Sequence, residues 1–259
     1  SFSIWRRCWR PRPSRRCGGW RPSAAIEVFA PLTPFEVEAL LLSLRVGAAS
    51  LLVTAPLGIA LAWLLARGRF PGKWLLEALV NLPLVLPPVV TGLLLLLVFG
   101  AQGPAGAWMR ETFGVTLAFS WLGAALAAAV MAIPLVVRPI RLSFEAVDRG
   151  LEQAAATLGA PPWRVFAHIT LPLAAPGIVA GAFLGLARAF GEFGATVTFA
   201  GSIPGETQTL PVAIYASLQR AEGETSAVRL AVISVAVAVG AILAAEACNR
   251  RLHKARQTS

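Results

Sequence analysis

Charge is the scarcest commodity in this sequence. Only 14% of its 259 residues are charged and only 13 are acidic, whereas a soluble domain carries about 25% charge. With 56% hydrophobic residues, the solvent for most of the chain must be lipid. Histidine and cysteine are scarce too. His168 and His253 form no HExxH pair, which argues against a zinc hydrolase. Cys8, Cys17 and Cys248 have no metal-ligand spacing and make no disulfide framework, and Cys248 is expected at a cytoplasmic helix end. No Ser or Cys nucleophile stands beside a plausible base, so no catalytic and no metal residue is assigned. A Walker A sequence is also missing. Gly72-Lys73 is followed by Trp74 and lacks the upstream glycine, so the chain cannot hydrolyse ATP by that route.

Long uncharged runs are what the sequence has instead. Five apolar segments emerge, at 46–66, 78–101, 115–137, 171–187 and 230–245. Each is near the ~20 residues that a membrane span needs, so the expected fold is all-α and integral to the membrane. The first helix should begin near Phe35, with Glu36 and Glu38 in water. Pro83, Pro87 and Pro88 interrupt the second segment and should kink it. They could form a hinge or a static bend. Arg229 and Glu246 flank the last segment and can snorkel. Leu210, Ile214 and Leu218 suggest a short amphipathic helix at the outer face. Trp63, Trp74, Trp108 and Trp121 fall near segment ends, as interfacial anchors do.

The net charge of +10 could suggest nucleic acid, but its distribution argues for topology signals instead. Arg67, Arg69 and Lys73 mark one connection as cytoplasmic, and Arg138, Arg141, Arg149 and Arg164 mark the third. The C-terminus, with Arg250, Arg251, Lys254 and Arg256, falls on the same side. Seven of the 23 basic residues sit in the first 21 positions and contradict this pattern. Residues 1–31 start with Ser and contain no uninterrupted apolar run. They read as a disordered tail or a non-native start, against a functional basic arm. The membrane domain then spans 32–259.

The polar insert at about 148–172 is more than a linker. Residues 151–158 favour helix, Gly159 fits the left-handed position that ends one, and Pro162 can open a second helix over 163–169. Two short helices at an angle make a knob. Trp163, Val165 and Phe166 would give it apolar contact area, rimmed by Arg149, Glu152, Arg164 and His168, which is how a protein interface is built. The plain alternative is an ordinary cytoplasmic loop.

Ala154, Ala155, Gly159, Ile169, Leu171 and Pro172 stand at the spacing of the "EAA" loop, and this region resembles that docking loop of ABC importer permeases. Gln153 occupies the place where the family has Glu, with Glu152 one residue earlier. The stretches NLPLVLPPVVTG (81–92), RPIRLSFEAVDRGLEQAAATLGA (138–160), ARAFGEFGATVTFAG (187–201) and IPGETQTLPVAIY (203–215) resemble the oxyanion branch, molybdate permeases above all. Sulfate permeases share a similar GEFGA stretch. The resemblance implies five core transmembrane helices of the type I ABC importer fold. It implies a cytoplasmic two-helix coupling loop that includes Glu152, Gln153 and Trp163. A multi-pass inner-membrane homodimer is implied as well, with two ATPase subunits holding ATP and Mg beneath it and a periplasmic molybdate-binding protein above. This chain itself would bind no cofactor and no nucleic acid. Sulfate or tungstate is the alternative cargo, and an ion-driven secondary transporter the more distant one.

Arg188, Gly191, Glu192, Thr196 and Thr198 are the candidates for a translocation path. Arg188 and Glu192 are four apart and can pair. They could pass an oxyanion or simply fix the helix end. The hydroxyls of Thr196 and Thr198 suit a transient anion contact, while small residues here equally suit helix packing.

Overall fold

The computed structural model describes residues 31–220 and 223–257, without the side chains of 242 and of 244 onward. The chain divides into Ser1–Leu32 and Thr33–Ser259, and the helices among the described residues belong to the second unit. The basic tail thus falls outside the described residues except at its last position, as do the side chains of Cys248, Glu246 and His253.

Helix α1, Pro34–Arg67, opens on a capping box. The Thr33 N–H donates to Glu36 Oε2 at 2.8 Å, and the Glu36 N–H donates to Thr33 Oγ1 at 3.3 Å. Glu36 is not in water, as its sequence position suggests. It is 1% exposed because Arg229 clamps it, with Nε at 2.8 Å and Nη2 at 3.0 Å. Arg229 therefore does not snorkel. Breaking a buried pair costs about 3–5 kcal/mol. Glu36→Ala should lower the thermal-unfolding midpoint of the purified chain, and adding Arg229→Leu should recover most of the loss. An unchanged midpoint in the single variant would contradict the clamp.

Helices α2, Lys73–Val85, and α3, Pro88–Phe99, follow, bent by 116° from one another. This is a break rather than the expected kink. Two consecutive prolines lack amide donors, and each pushes the residue before it toward extended backbone. Leu86 and Pro87 accordingly have ψ 140 and 135. Pro83 stays inside α2. Helix α4, Pro104–Phe113, ends at left-handed Gly114.

Helix α5 spans Trp121–Ala146 rather than 115–137. Its start is delayed by Phe119, at φ 57, and is set by Ser120, whose hydroxyl caps the Gly123 N–H. Pro134 and Pro139 are carried inside it. After helix α6, Arg149–Thr157, a single run α7 occupies Pro162–Phe190. Then come α8, Gly194–Phe199, α9, Leu210–Leu218, and α10, Glu224–Gln257. In α9 the buried face carries Leu210, Ala213 and Ser217, while Leu218 is exposed. Of the stripe read from sequence, Leu210 is buried and Ile214 packs against the same cluster with Ala39 and Leu230, while only Leu218 departs. The Leu210 N–H docks on Ser43 Oγ of α1 at 2.7 Å.

The centre of the fold is α5, packed between α1 and α7. Val136, Val137, Ile140 and Phe144 of α5 form its core with Ala62, Leu65 and Ala174. Helices α1, α5, α7 and Glu224–Ala241 of α10 are long and apolar enough to cross a membrane, and the bent pair α2–α3 adds a fifth if its two halves count as one span. Contacts fix its sense. Glu77 and Asn81 of α2 meet Arg141 and Arg138 near the end of α5, whereas Leu95 of α3 packs with Ala127 and Met131. The pair therefore advances along α5 by roughly ten residues, about 15 Å at 1.5 Å per residue. An advance along α5 suits a broken span better than a re-entrant loop, which would turn back. The described residues are all helix and turn, the fold class expected from sequence.

Candidate coupling site and translocation path

The polar insert folds as a knob. Asp148 caps α6 by accepting the Gly150 N–H at 2.7 Å. The far end closes through Gly159, at φ +85. The Gly159 N–H donates to Ala156 O at 3.0 Å and the Ala160 N–H to Ala155 O at 3.1 Å. These are the two bonds of a Schellman motif. Ala154 and Ala155 thus lie in the last turn before a sharp corner, Ala154 exposed and Ala155 half-buried. Pro162 stands at the first turn of α7.

The second helix of the knob does not stop at 169. It continues into the membrane span through a π turn over Phe166–Thr170, in which the Leu171 N–H reaches back to Phe166 O. Pro172 has no N–H for the His168 carbonyl and would crowd it in a regular helix, and a widened turn relieves that conflict. Ile169, Leu171 and Pro172 therefore form the joint between knob and membrane.

The apolar face differs from the expected one. Leu158 is 88% exposed and Trp163 62%, with Leu151 also outward. Phe166 instead turns inward, edge-on to Trp63 at 5.7 Å and 6.2 Å from Phe144. Trp63 is thereby an internal contact as well as an end-of-segment residue, and Trp121 carries the Arg45 guanidinium 3.7 Å over its ring.

Nor is Glu152 part of an open rim. Its Oε1 accepts from Arg67 Nη2 at 2.9 Å and from Thr170 Oγ1 at 2.7 Å. Arg67 Nη2 also donates to Val147 O at 3.3 Å. A cation at the C-terminal end of α1 draws the carboxylate in. Sequence reading missed this contact, since 85 residues separate the partners. Gln153 and Ala154 remain outward.

At the other candidate site Arg188 Nη1 lies 2.5 Å from Glu192 Oε2. Glu192 Oε1 accepts the Ala195 N–H at 2.8 Å and so caps the start of α8. Thr196 is buried, and Thr198 donates to Gly194 O at 2.9 Å. The structure also joins this segment to the proline corner. A Cβ on Gly194 would meet Pro88 Cβ at 2.7 Å, and one on Gly92 would meet Ala195 O at 2.7 Å and Thr198 Cβ at 2.8 Å. Gly92, which sequence reading passed over, lets α3 and α8 touch backbone to backbone. Pro88, Gly194 and Thr198 thus belong to one neighbourhood, with Pro87 next to it in the chain, while Pro83 is on the far side of the break and Gly191 has only Ala187 O of its own helix near its Cβ position.

Residues 55–254 match the model of the binding-protein-dependent transport system inner membrane component family. The chain is 55% identical over 215 residues to the molybdenum transport system permease protein ModB of Escherichia coli K12, covering 83% of this chain and 94% of that protein. It is 50% identical over 219 residues to the protein of the same name from Haemophilus influenzae, covering 85% and 96%. Its fold is similar to that of a bacterial ABC transporter involved in import of the acidic polysaccharide alginate, with TM-score 0.69, 17% identity, and 91% and 85% of the two chains covered. The chain belongs to the inner-membrane permeases of binding-protein-dependent ABC transport systems, alongside the molybdenum permeases.

Proposed function

We propose that this chain is the membrane-spanning subunit of an ATP-driven molybdate importer, working as a homodimer. The observation that carries the mechanism is the knob, a two-helix corner with Leu151, Leu158 and Trp163 outward. Lipid has no use for such a surface, whereas a protein partner does. That partner would be one of two ATPase subunits, which hold ATP and Mg. A binding protein would deliver the anion at the opposite face. Similarity to molybdenum permeases supports the cargo.

The knob, the α1–α2 connection and the C-terminus would face the cytoplasm, by the distribution of Arg and Lys. The contact between Arg67 and Glu152 agrees with this, since it gathers two of the basic connections at one face. ATP-driven closure of the ATPase pair would carry the knobs with it and switch the dimer between inward- and outward-facing states. Arg188, Gly191 and Thr198 remain candidate path residues, with Glu192 and Thr196 holding their shape. An ion-driven carrier would need free membrane carboxylates, but Glu36 and Glu192 are each held by an arginine.

The test is cellular molybdenum content in a strain lacking the gene, grown on trace molybdate with excess sulfate. The content should fall and return when the gene is restored. An unchanged content would move the cargo to sulfate or another oxyanion.

A further inference from the structure

Four parts of the chain meet at Arg67. The residue ends α1, and its Nη2 donates both to Val147 O, where α5 ends, and to Glu152 Oε1 in α6. The same Glu152 oxygen accepts from Thr170, which is 2% exposed and sits in the π turn that opens the α7 span. The side chains of Arg67 and Glu152 are 14% and 20% exposed. A largely screened bridge of this kind differs from the loose surface pairs that contribute little. Beneath it Phe166 of the knob is wedged between Trp63 of α1 and Phe144 of α5. The knob is therefore keyed to α1 by a charge-assisted hydrogen-bond network and an aromatic contact, although no short chain segment connects them.

Helix α1 is also held at its other end. Its 34 residues extend about 51 Å at 1.5 Å per residue. At the far face Glu36 holds Arg229 of α10, and Ser43 holds the start of α9. A helix fixed at both ends can pass a displacement from one face to the other, provided the lower attachment does not slip.

The geometry points to Arg67, Glu152 and Thr170 as a latch that makes the knob and α1 one moving body. Through it, force applied to the knob reaches the α9–α10 face along α1 as well as along α5 and α7. Arg67 and Glu152 are positioning residues and touch no cargo. The inference rests on the coupling role proposed for the knob.

The test uses the complete transporter in vesicles, with its ATPase and binding protein, and reads ions carried per ATP hydrolysed. Arg67→Ala and Glu152→Gln should assemble and hydrolyse ATP. Their ratio should fall about tenfold, inside the roughly 5–150-fold range of site-to-site coupling. Thr170→Val should fall less. The double variant Arg67→Ala with Glu152→Gln should fall no further than the worse single variant, as two residues acting through one latch require. Native ratios in both single variants would overturn the latch. A second measurement separates its failure from failure of the transport reading. Spin labels at Glu38 and Thr157 in the purified chain should give one narrow distance, broadened by Arg67→Ala. An unchanged distribution would overturn the latch whatever the cargo proves to be.

Discussion

Gly181→Leu should leave almost no folded protein. Gly177, Gly181 and Gly185 are spaced by four along α7 and face α5. A Cβ at Gly181 would lie 2.8 Å from the Val136 carbonyl oxygen and 2.9 Å from Ile140 Cγ1. The carbonyl belongs to the backbone of α5 and cannot rotate away. At Gly177 the added atom would strike Ser143 Oγ, and at Gly185 it would strike Val136 Cγ2. Small residues drive helix association in membranes because they let backbones approach, where no hydrophobic gain separates helix from lipid. A leucine must push α7 off the buried row Ala132, Val136, Ile140 and Phe144. Overpacking a core costs about 1–3 kcal/mol where side chains can give, and more where they cannot. Graded effects are expected. Gly185→Ala meets only side chain and should be mildest, with Gly181→Ala worse and Gly181→Leu worst. Monodisperse yield and thermal midpoint in detergent check this order. A Gly181→Leu protein with native yield would show that α5 and α7 do not meet as described.

Much of the fold is legible in the sequence because membrane spans announce themselves locally. The five apolar runs correspond to α1, the α2–α3 pair, α5, α7 and α10. Gly159, Pro162 and the helix before them also follow from local chemistry, since a left-handed residue and a proline act on their own backbone. The errors have one cause in common. Glu36, Arg229 and Glu152 read as water-facing or rim residues because charges usually go there. Their partners lie 193 and 85 residues away in the chain, and no local pattern reveals such pairs. Residues 115–120 are apolar yet not helical, because Phe119 donates its N–H to Phe199 O and holds a positive φ. Hydropathy sees the solvent of a segment and not its backbone. Likewise the G-x-x-x-G-x-x-x-G run in α7 is visible in the sequence, but the helix it faces is not. At the path site, the spacing of Arg188 and Glu192 does reveal their pairing. The second role of Glu192, as a cap on α8, depends on a helix that starts only two residues later.

Gly159→Val should separate folding from coupling. No heavy atom lies within 4 Å of a Cβ built on Gly159, so a side chain meets no steric obstacle there and the membrane core does not feel it. The cost is in the backbone. At φ +85 an ordinary residue loses about 1–2 kcal/mol, and a β-branched one is a genuine outlier. The corner would relax by surrendering the bonds from Gly159 to Ala156 and from Ala160 to Ala155, changing the angle between α6 and the first turn of α7. Leu158 and Trp163 would then no longer present one surface. Asparagine tolerates the left-handed region, alanine less, valine least. In that order, Gly159→Asn, Gly159→Ala and Gly159→Val should show a growing loss of ATPase retention and of ATP-driven uptake, at an unchanged thermal midpoint of the permease alone. Such a series would mean that the shape of the corner, rather than the volume of residue 159, transmits the work of ATP. Full retention and uptake in Gly159→Val would deny the knob its coupling role. A fall in the thermal midpoint equal across all three would make the corner a folding element instead.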